Sequence, residues 1–391
     1  MNKTAKIIIG VVALILIIGG VWYFGKNQKQ VENQAQPAND KLTTIKIGFV
    51  APQSGEAASY GEYATKAFKL AIENFNNENK KINFNVIYED GKCDGKSAVS
   101  ALNKLINIDK VKYVIGGLCS GETLAMAPVA ESNKVILLSP GSGSPDISNA
   151  GDYIFRNLAS DDYTAKEIAK VAIKNGDNKI ALITENVDYP QTLKKAFKNY
   201  FTSQNGEVLL DETFNTGETD FRTIITKAKA QNIASIYLVP QSYKTSALIL
   251  KQMKELGFLP KIYTSEATIS QESLAYYNAD YKNLLEGAIF TQPKFDENNP
   301  KATTVLAKFI TRYGTTQGPI PTVYIATYYD SVYLLGEAIM SAGDSSNKVK
   351  NYFYKVKNWQ GVVGNFSFDK NGDAITNVET KTVKNGEIIS L

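Results

Sequence analysis

The chain has 391 residues, 43% of them hydrophobic and 21% charged, which is enough for two domains with their own cores. A net charge of +4 without any run of five basic residues argues against nucleic-acid binding. The absence of histidine excludes Ser-His-Asp and Cys-His catalysis, and two cysteines are too few for a cysteine-based zinc site. We therefore expect a globular protein that is not an enzyme and needs no metal or cofactor.

The N-terminus predicts a membrane anchor. Lys3 and Lys6 precede eighteen uncharged, mostly apolar residues, 7–24, which as a helix would extend roughly 27 Å, about the thickness of a bilayer core. The leading lysines predict a cytoplasmic N-terminus and an exported body. We expect residues 1–24 to form an uncleaved transmembrane helix, with a cleaved signal peptide as the alternative. Residues 25–43 are polar and read as a flexible linker.

From residue 44 onward, short apolar runs alternate with amphipathic stretches in two series, the second beginning near Asp161. This alternation predicts an α/β protein with parallel sheets covered on both faces. The predicted strands are 45–50, 82–88, 111–115, 135–138, 153–156, 179–184, 207–213, 235–239, 261–264 and 287–291, with further short strands in 362–391. The predicted helices are 59–79, 96–107, 121–132, 162–174, 190–203, 219–230, 242–256, 300–313 and 322–341.

The stretch 111–145 predicts a strand, a turn, a helix, a second strand and a second turn, in that order. Pro128 lies within its helix and predicts a kink or a short first helix. Two parallel strands joined by a crossover helix place both turns at the carboxyl edge of one sheet, where open α/β sheets bind ligands. Both turns are rich in small hydroxyl residues and backbone N–H groups. They therefore suit a small anion or zwitterion without needing a fixed positive charge.

The two cysteines follow strand-like runs. Cys93 comes after 85–88, and Cys119 comes after 111–115. Neighbouring strand ends are close enough for a disulfide, which would indicate an oxidising compartment. The alternative is a pair of free thiols.

Seven stretches carry a family resemblance: IKIGFVAPQSGEAASYGEYATKAFKLAIE, CDGKSAVSALNKLI, YVIGGLCSGETLAMAPVAESNKVILLSPGSGSP, YIFRN, YTSEA, LEGAIF and YIATYYDSV. In this order they resemble the type I periplasmic binding proteins, and most closely the leucine/isoleucine/valine-binding branch of ABC-transporter substrate-binding proteins. The resemblance implies two Rossmann-like lobes with parallel sheets, joined by a hinge of three crossovers. It places the crossovers near 158–163, 284–288 and 360–366, the first lobe in 44–161 plus 288–362, and the second in 162–287 plus 363–391.

The resemblance also implies how the first lobe would hold a ligand. The hydroxyl of Ser120 and nearby N–H groups would receive a carboxylate, although a helix N-cap is the purely structural role for this serine. The second turn contributes Gly141 and Gly143. The family usually has threonine or serine where this chain has Gly143, and Ser142 or Ser144 is the candidate to replace that hydroxyl.

The remaining pocket residues implied by the resemblance are one carboxylate and four tyrosines. Glu266 would meet the ligand's ammonium group from the second lobe. Tyr60 and Tyr324 would pack on the ligand from the first lobe, and Tyr189 and Tyr243 would close over it from the second. Core or surface packing is the alternative role for each tyrosine, since the chain has 22 of them.

The family's first-lobe disulfide matches Cys93 and Cys119. The resemblance thus implies an extracytoplasmic, membrane-tethered solute-binding protein that captures a small amino-acid-like ligand, branched-chain or otherwise aliphatic, and delivers it to an ABC permease. The alternative is a ligand-sensing ectodomain of the same fold that acts through a membrane partner.

Overall fold

The computed structural model describes residues 42–277 and 283–391. The predicted anchor and almost all of the predicted linker lie outside these residues. Within the two described ranges, no helix is both long enough and apolar enough to cross a membrane.

The first sheet has five parallel strands in the order β2-β1-β3-β4-β5. Alternate residues of these strands belong to different apolar clusters: Phe49 and Ile115 lie in one, Val50 and Val114 in the other. Both faces of the sheet are therefore buried, as the continuous apolar runs predict. The strands are β1 (Thr43–Ala51), β2 (Ile82–Asp90), β3 (Tyr113–Gly116), β4 (Ile136–Ser139) and β5 (Ile154–Arg156).

The second sheet has seven strands in the order β14-β13-β10-β9-β8-β6-β7. Its strands from β7 to β10 are parallel, and the C-terminal hairpin β13–β14 adds to β10 in the antiparallel sense. The strands are β6 (Lys179–Glu185), β7 (Glu207–Phe214), β8 (Ser235–Val239), β9 (Lys261–Ser265), β10 (Ile289–Pro293), β13 (Val378–Lys384) and β14 (Glu387–Ser390). A separate two-stranded ribbon pairs β11 (Trp359–Gln360) with β12 (Asn365–Phe366).

Helices cover both sheets, and most begin within a few residues of their predicted starts. They are α1 (Ala58–Glu78), α2 (Gly95–Asn107), α3 (Ser120–Ser132), α4 (Asp161–Lys174), α5 (Asp188–Ser203), α6 (Arg222–Ala230), α7 (Tyr243–Glu255), α8 (Gln271–Tyr276), α9 (Pro300–Tyr313), α10 (Val323–Ala342) and α11 (Ser346–Phe353). The sequence reading missed α8 and α11. Helix α3 continues through Pro128, so the short first helix was not the right expectation.

We call the elements packed on the first sheet the first lobe and those on the second sheet the second lobe. The chain passes from the first sheet to the second between β5 and β6. The predicted second crossover, near 284–288, precedes β10. However, β10 pairs with β9, so the chain leaves the second sheet only after Pro293. The last crossover follows the ribbon β11–β12 and leads to β13.

A buried carboxylate fixes this last crossover to the first lobe. Asp330 of α10 accepts the N–H groups of Val362 (2.7 Å) and Val363 (2.8 Å). A side chain at Gly361 would overlap the same carboxylate. Because burial opposes the charged form, the pKa of Asp330 rises to about 7.

Cys93 and Cys119 form a disulfide with 5.3 Å between their Cα atoms. The pairing is as predicted, but the two cysteines do not follow adjacent strands, because β1 lies between β2 and β3. The disulfide therefore spans β1 at the carboxyl edge of the first sheet.

Candidate ligand-binding cleft

The loop between β3 and α3 is shaped by a buried carboxylate. Glu122, in the first turn of α3, accepts the N–H groups of Leu118, Cys119 and Cys93, each at 3.0 Å. Burial nevertheless raises the pKa of Glu122 to about 7. Helix α3 begins at Ser120, and the first N–H groups of a helix have no partner within the helix. This end of α3 can therefore receive an anionic group of a ligand.

The second turn, after β4, is tied to the first. The Ser144 N–H donates to Ser120 Oγ at 3.1 Å. Arg156 of β5, which is fully buried, donates from Nη1 to the carbonyl oxygens of Gly143 (2.8 Å) and Ser144 (2.7 Å). Its Nε and Nη2 atoms form a two-point ion pair with Asp373, at 2.7 and 2.9 Å. Arg156 thus fixes the turn, and its own charge is already neutralised.

Six of the eight predicted ligand residues line one small cavity of about 50 Å³ between the lobes. We call it the inner cavity. The six are Tyr60, Ser120, Gly141, Tyr189, Glu266 and Tyr324.

The inner cavity is closed by direct contacts between the lobes. Tyr60 Oη of the first lobe donates to the Ala267 carbonyl (3.3 Å) and accepts the Tyr243 N–H (3.0 Å), both in the second lobe. Tyr324 Oη donates to Glu266 Oε1 at 3.3 Å. The structure therefore represents a closed arrangement of the cleft.

The other two predicted residues do not line the inner cavity. The Tyr243 hydroxyl points away and donates to Glu272 at 2.7 Å, while its ring lies beside that of Tyr60, with 6.0 Å between centroids. Gly143 lies in the second turn, and a side chain there would overlap the carboxyl group of Asp161.

The serines expected to replace the hydroxyl missing at Gly143 are engaged elsewhere. Ser142 Oγ pairs with Thr123 Oγ1 at 2.7 Å, and Ser144 Oγ accepts the Asp146 N–H at 3.3 Å. The Asp161 carboxyl group occupies the vacant space instead.

Asp161 and Glu266 are an interacting pair of buried carboxyl groups, 4% and 5% exposed; Glu266 lines the inner cavity, and Asp161 lies against Gly143 of the second turn. Burial, reinforced by the charge of Glu266, raises the pKa of Asp161 well above its usual range. Burial also raises the pKa of Glu266 to about 7. Two such groups cannot both be charged at low cost without a cation between them, so the pair is suited to an ammonium group.

Unpartnered polar atoms are concentrated around this pair. Among residues 42–277 and 283–391, Asp161 Oδ2, Tyr189 Oη and Ser265 Oγ are buried without a hydrogen-bond partner, as are Asn157 Oδ1 and Tyr328 Oη nearby. Buried polar groups in folded proteins almost always have partners. A polar ligand in the closed cleft would supply them.

A larger space of about 580 Å³, the outer compartment, adjoins the inner cavity. Cys119, Tyr189 and Gln241 line both spaces. The outer compartment is also lined by polar residues of both lobes. Those of the first lobe are Glu56, Lys92 and Asp94, and those of the second lobe are Glu185, Asn186, Asp188, Gln191, Thr216 and Ser242.

The sequence reading missed Asp161, Arg156 and Gln241. Asp161 could have been noticed as an acidic residue at a helix start just after a predicted strand. Arg156 lies within the YIFRN stretch, but nothing local indicates that it reaches the second turn. Gln241 carries no local signal, because its position depends on how the lobes meet.

Comparisons with known proteins agree with this architecture. The profile of the periplasmic binding protein family matches residues 44–387. The chain is 27% identical over 335 residues to a leucine-, isoleucine-, valine-, threonine- and alanine-binding protein of Pseudomonas aeruginosa, covering 84% of this chain and 87% of that protein. It is 26% identical to the Leu/Ile/Val-binding protein of Escherichia coli K12, covering 84% and 88%.

Solved structures give the same result. A leucine-binding protein of Thermotoga maritima has a TM-score of 0.80 at 27% identity, with 89% of this chain and 97% of that chain covered. A branched-chain amino acid transporter substrate-binding protein of Streptococcus pneumoniae, in complex with isoleucine, has a TM-score of 0.78 at 27% identity, with 89% and 98% covered. From its two-lobed fold, its interlobe cavity and these matches, we conclude that the chain belongs to the periplasmic binding protein family.

Proposed function

We propose that this protein is an extracytoplasmic solute-binding protein of an ABC transporter that captures a small amino-acid-like ligand between its lobes. One observation supports the proposal: the start of α3, with Ser120, and the carboxyl group of Glu266 both line the inner cavity. A ligand's carboxylate would bind at the helix start, and its ammonium group would bind at Glu266. The named ligands of the similar proteins support an amino acid, and aliphatic amino acids are the first compounds to test.

Capture follows from contacts that exist only when the cleft is closed. Ser120 and Tyr60 belong to the first lobe, whereas Tyr189 and Glu266 belong to the second. A ligand that touches both sets favours the closed form, because only a difference in affinity between two forms can shift their equilibrium. The closed form would then deliver its ligand to a membrane permease.

Isothermal titration calorimetry with the full chain and the aliphatic amino acids tests this proposal. Ser120→Ala removes a hydroxyl hydrogen bond to the ligand's carboxylate, and Glu266→Gln removes the negative charge that faces its ammonium group, so each should weaken binding by about tenfold or more. Ser100→Ala is the matched control, since this exposed hydroxyl bonds to the Lys96 carbonyl on the surface of α2. Unchanged affinity in the double variant Ser120→Ala/Glu266→Gln would refute the assigned binding mode.

We also propose that residues 7–24 hold the protein at the membrane, with the lobes outside the cytoplasm. The apolar composition of this segment and the disulfide, which is typical of oxidising compartments, support this arrangement. Uncleaved protein should stay in the membrane fraction after alkaline carbonate washing. Release of a form that begins beyond Phe24 would contradict the anchor.

A further inference from the structure

In the closed cleft, the first lobe covers two carboxyl groups that belong to the second lobe. Glu266 follows β9, and Tyr324 of α10 lies over it, with its Oη atom 3.3 Å from Glu266 Oε1. Asp161 begins α4, and Gly143 of the second turn lies so close that a Cβ atom there would be 2.2 Å from Asp161 Oδ2. Opening the cleft separates Tyr324 from Glu266 and therefore returns at least this carboxyl group to water.

In the described part of the chain, neither carboxyl group forms an ion pair with a cation. Arg156 of β5 acts on Asp161, but its guanidinium is already paired with Asp373 and bonded to the second turn. The other titratable groups that face the pair are buried tyrosines, and burial raises the pKa of each hydroxyl well above its usual range. They are Tyr189 of α5, Tyr237 of β8 and Tyr324 of α10. The charge of the pair is therefore not balanced from within the protein.

Closing the empty cleft is opposed while both groups are charged. Taking a carboxylate out of water without a partner is costly, and a second negative charge beside it adds repulsion. A proton bound by the pair removes both costs. Burial raises the pKa of Glu266 to about 7 in the closed cleft, whereas a glutamate in water has a pKa of about 4.3. The closed form thus binds more protons than the open form between about pH 4 and 7, so acid favours closing.

We propose that the Asp161–Glu266 pair holds the cleft open while both groups are charged, and that the cleft closes when the pair receives either a ligand's ammonium group or a proton. The inference rests on the proposed function for the ammonium group, whereas the effect of the proton needs no ligand. At neutral pH the pair keeps the empty protein from adopting the closed form that the permease would recognise. In acid the proton competes with the ligand, so binding weakens as the pH falls.

The distance between the lobes of the empty protein provides the test. Nitroxide labels at Ser100→Cys on α2 and Lys195→Cys on α5, both exposed positions, report this distance by double electron–electron resonance in the full chain. We expect mainly the longer, open distance at pH 8. Between pH 7 and pH 5 the ratio of closed to open protein should rise by about tenfold or more. A distance that does not change with pH, or an empty protein that is already closed at pH 8, would overturn the inference.

Two variants and a matched control relate the effect to the pair. Glu266→Gln and Asp161→Asn each remove one of the two charges, so each should raise the closed fraction of the empty protein at pH 8. Asp162→Asn is the control, because it removes the next carboxylate of α4, which is paired with Lys166 at 2.6 Å, and it should leave the distance unchanged. Equal closing in Asp162→Asn would show that net charge opposes closing, and not the pair. If a variant does not fold, the pH series of the unsubstituted protein decides alone.

Leucine separates this inference from the proposed function. It should close the cleft at pH 8, and calorimetry at pH 5 should show weaker binding with the release of up to about one proton, which the ammonium group displaces. If leucine and the other aliphatic amino acids do not bind, the proposed function fails, while the response of the empty protein to acid still decides the inference. If leucine closes the cleft but acid does not, the proposed function stands and the inference fails.

Discussion

Replacing Asp373 with asparagine should destabilise the protein strongly, although this residue lies in a turn far along the chain. Asp373 forms the two-point ion pair with the fully buried Arg156 and also accepts the Ser148 hydroxyl at 2.5 Å. Asparagine keeps the shape of the side chain but leaves the guanidinium charge unneutralised. The cost of breaking a buried pair by removing one partner is about 3–5 kcal/mol.

This cost translates into a measurable melting shift. Residues 43–391 form one compact unit, for which the unfolding entropy is about 0.7 kcal/mol/K at the average value per residue. A loss of about 3–5 kcal/mol should therefore lower Tm by roughly 4–7 °C. The matched control is Asp220→Asn, which breaks an exposed pair with Arg222 and should cost less than about 1 kcal/mol.

Differential scanning calorimetry of the full chain and both variants provides the assay. The double variant Arg156→Met/Asp373→Asn should be less destabilised than the sum of its single variants, because it leaves no unpaired buried charge. A Tm shift for Asp373→Asn no larger than that of the control, or strict additivity in the double variant, would refute the reasoning.

Three further predictions follow from the same structure. Cys93→Ser opens the disulfide to Cys119 and should cost about 3 kcal/mol, visible as a lower Tm that reductant no longer changes. The raised pKa of Asp330 means that the folded state binds more protons than the unfolded state between about pH 4 and 7, so the free energy of unfolding should fall as pH rises through this range. Denaturant titrations at several pH values should show a smaller fall of this free energy for Asp330→Asn. The same dependence on pH in Asp330→Asn and in the unsubstituted protein would contradict this. Gly143→Ser should weaken ligand binding in calorimetry by displacing the Asp161 carboxyl group, whereas Gly176→Ser, in open space, should not.

The order and type of the helices and strands could be predicted because the spacing of apolar residues along the chain depends on local sequence alone. Strands β3 and β4 are continuous apolar runs buried at every residue, and the turns that follow them carry the small residues that line the cleft. The position of β1 between β2 and β3 could not be predicted, because pairing depends on contacts distant in sequence. The same limit explains why the disulfide was expected between adjacent strands.

Some residues of the candidate site could likewise be predicted from local sequence, and others could not. Ser120 is marked by its place at a helix start, and Glu266 follows a strand of the second lobe, so the sequence positions both at the cleft. Tyr243 also opens a helix at the cleft, but its direction is set by Glu272 of another helix, which no local pattern encodes. The Asp161 carboxyl group fits in the site only because Gly143 has no side chain. This depends on two residues distant in sequence, so neither residue alone predicts it.

The C-terminal hairpin has a consequence for how this chain acquires its structure. Strand β10 lies between β9 and β13, and Ile289 and Phe290 within it are almost completely buried. Until residues 378–390 have been synthesised, β10 is an unprotected apolar edge that can pair with other chains. The second lobe can therefore be completed only after β13 and β14 have been synthesised, whereas the five strands of the first sheet lie within residues 43–156 and can pair much earlier.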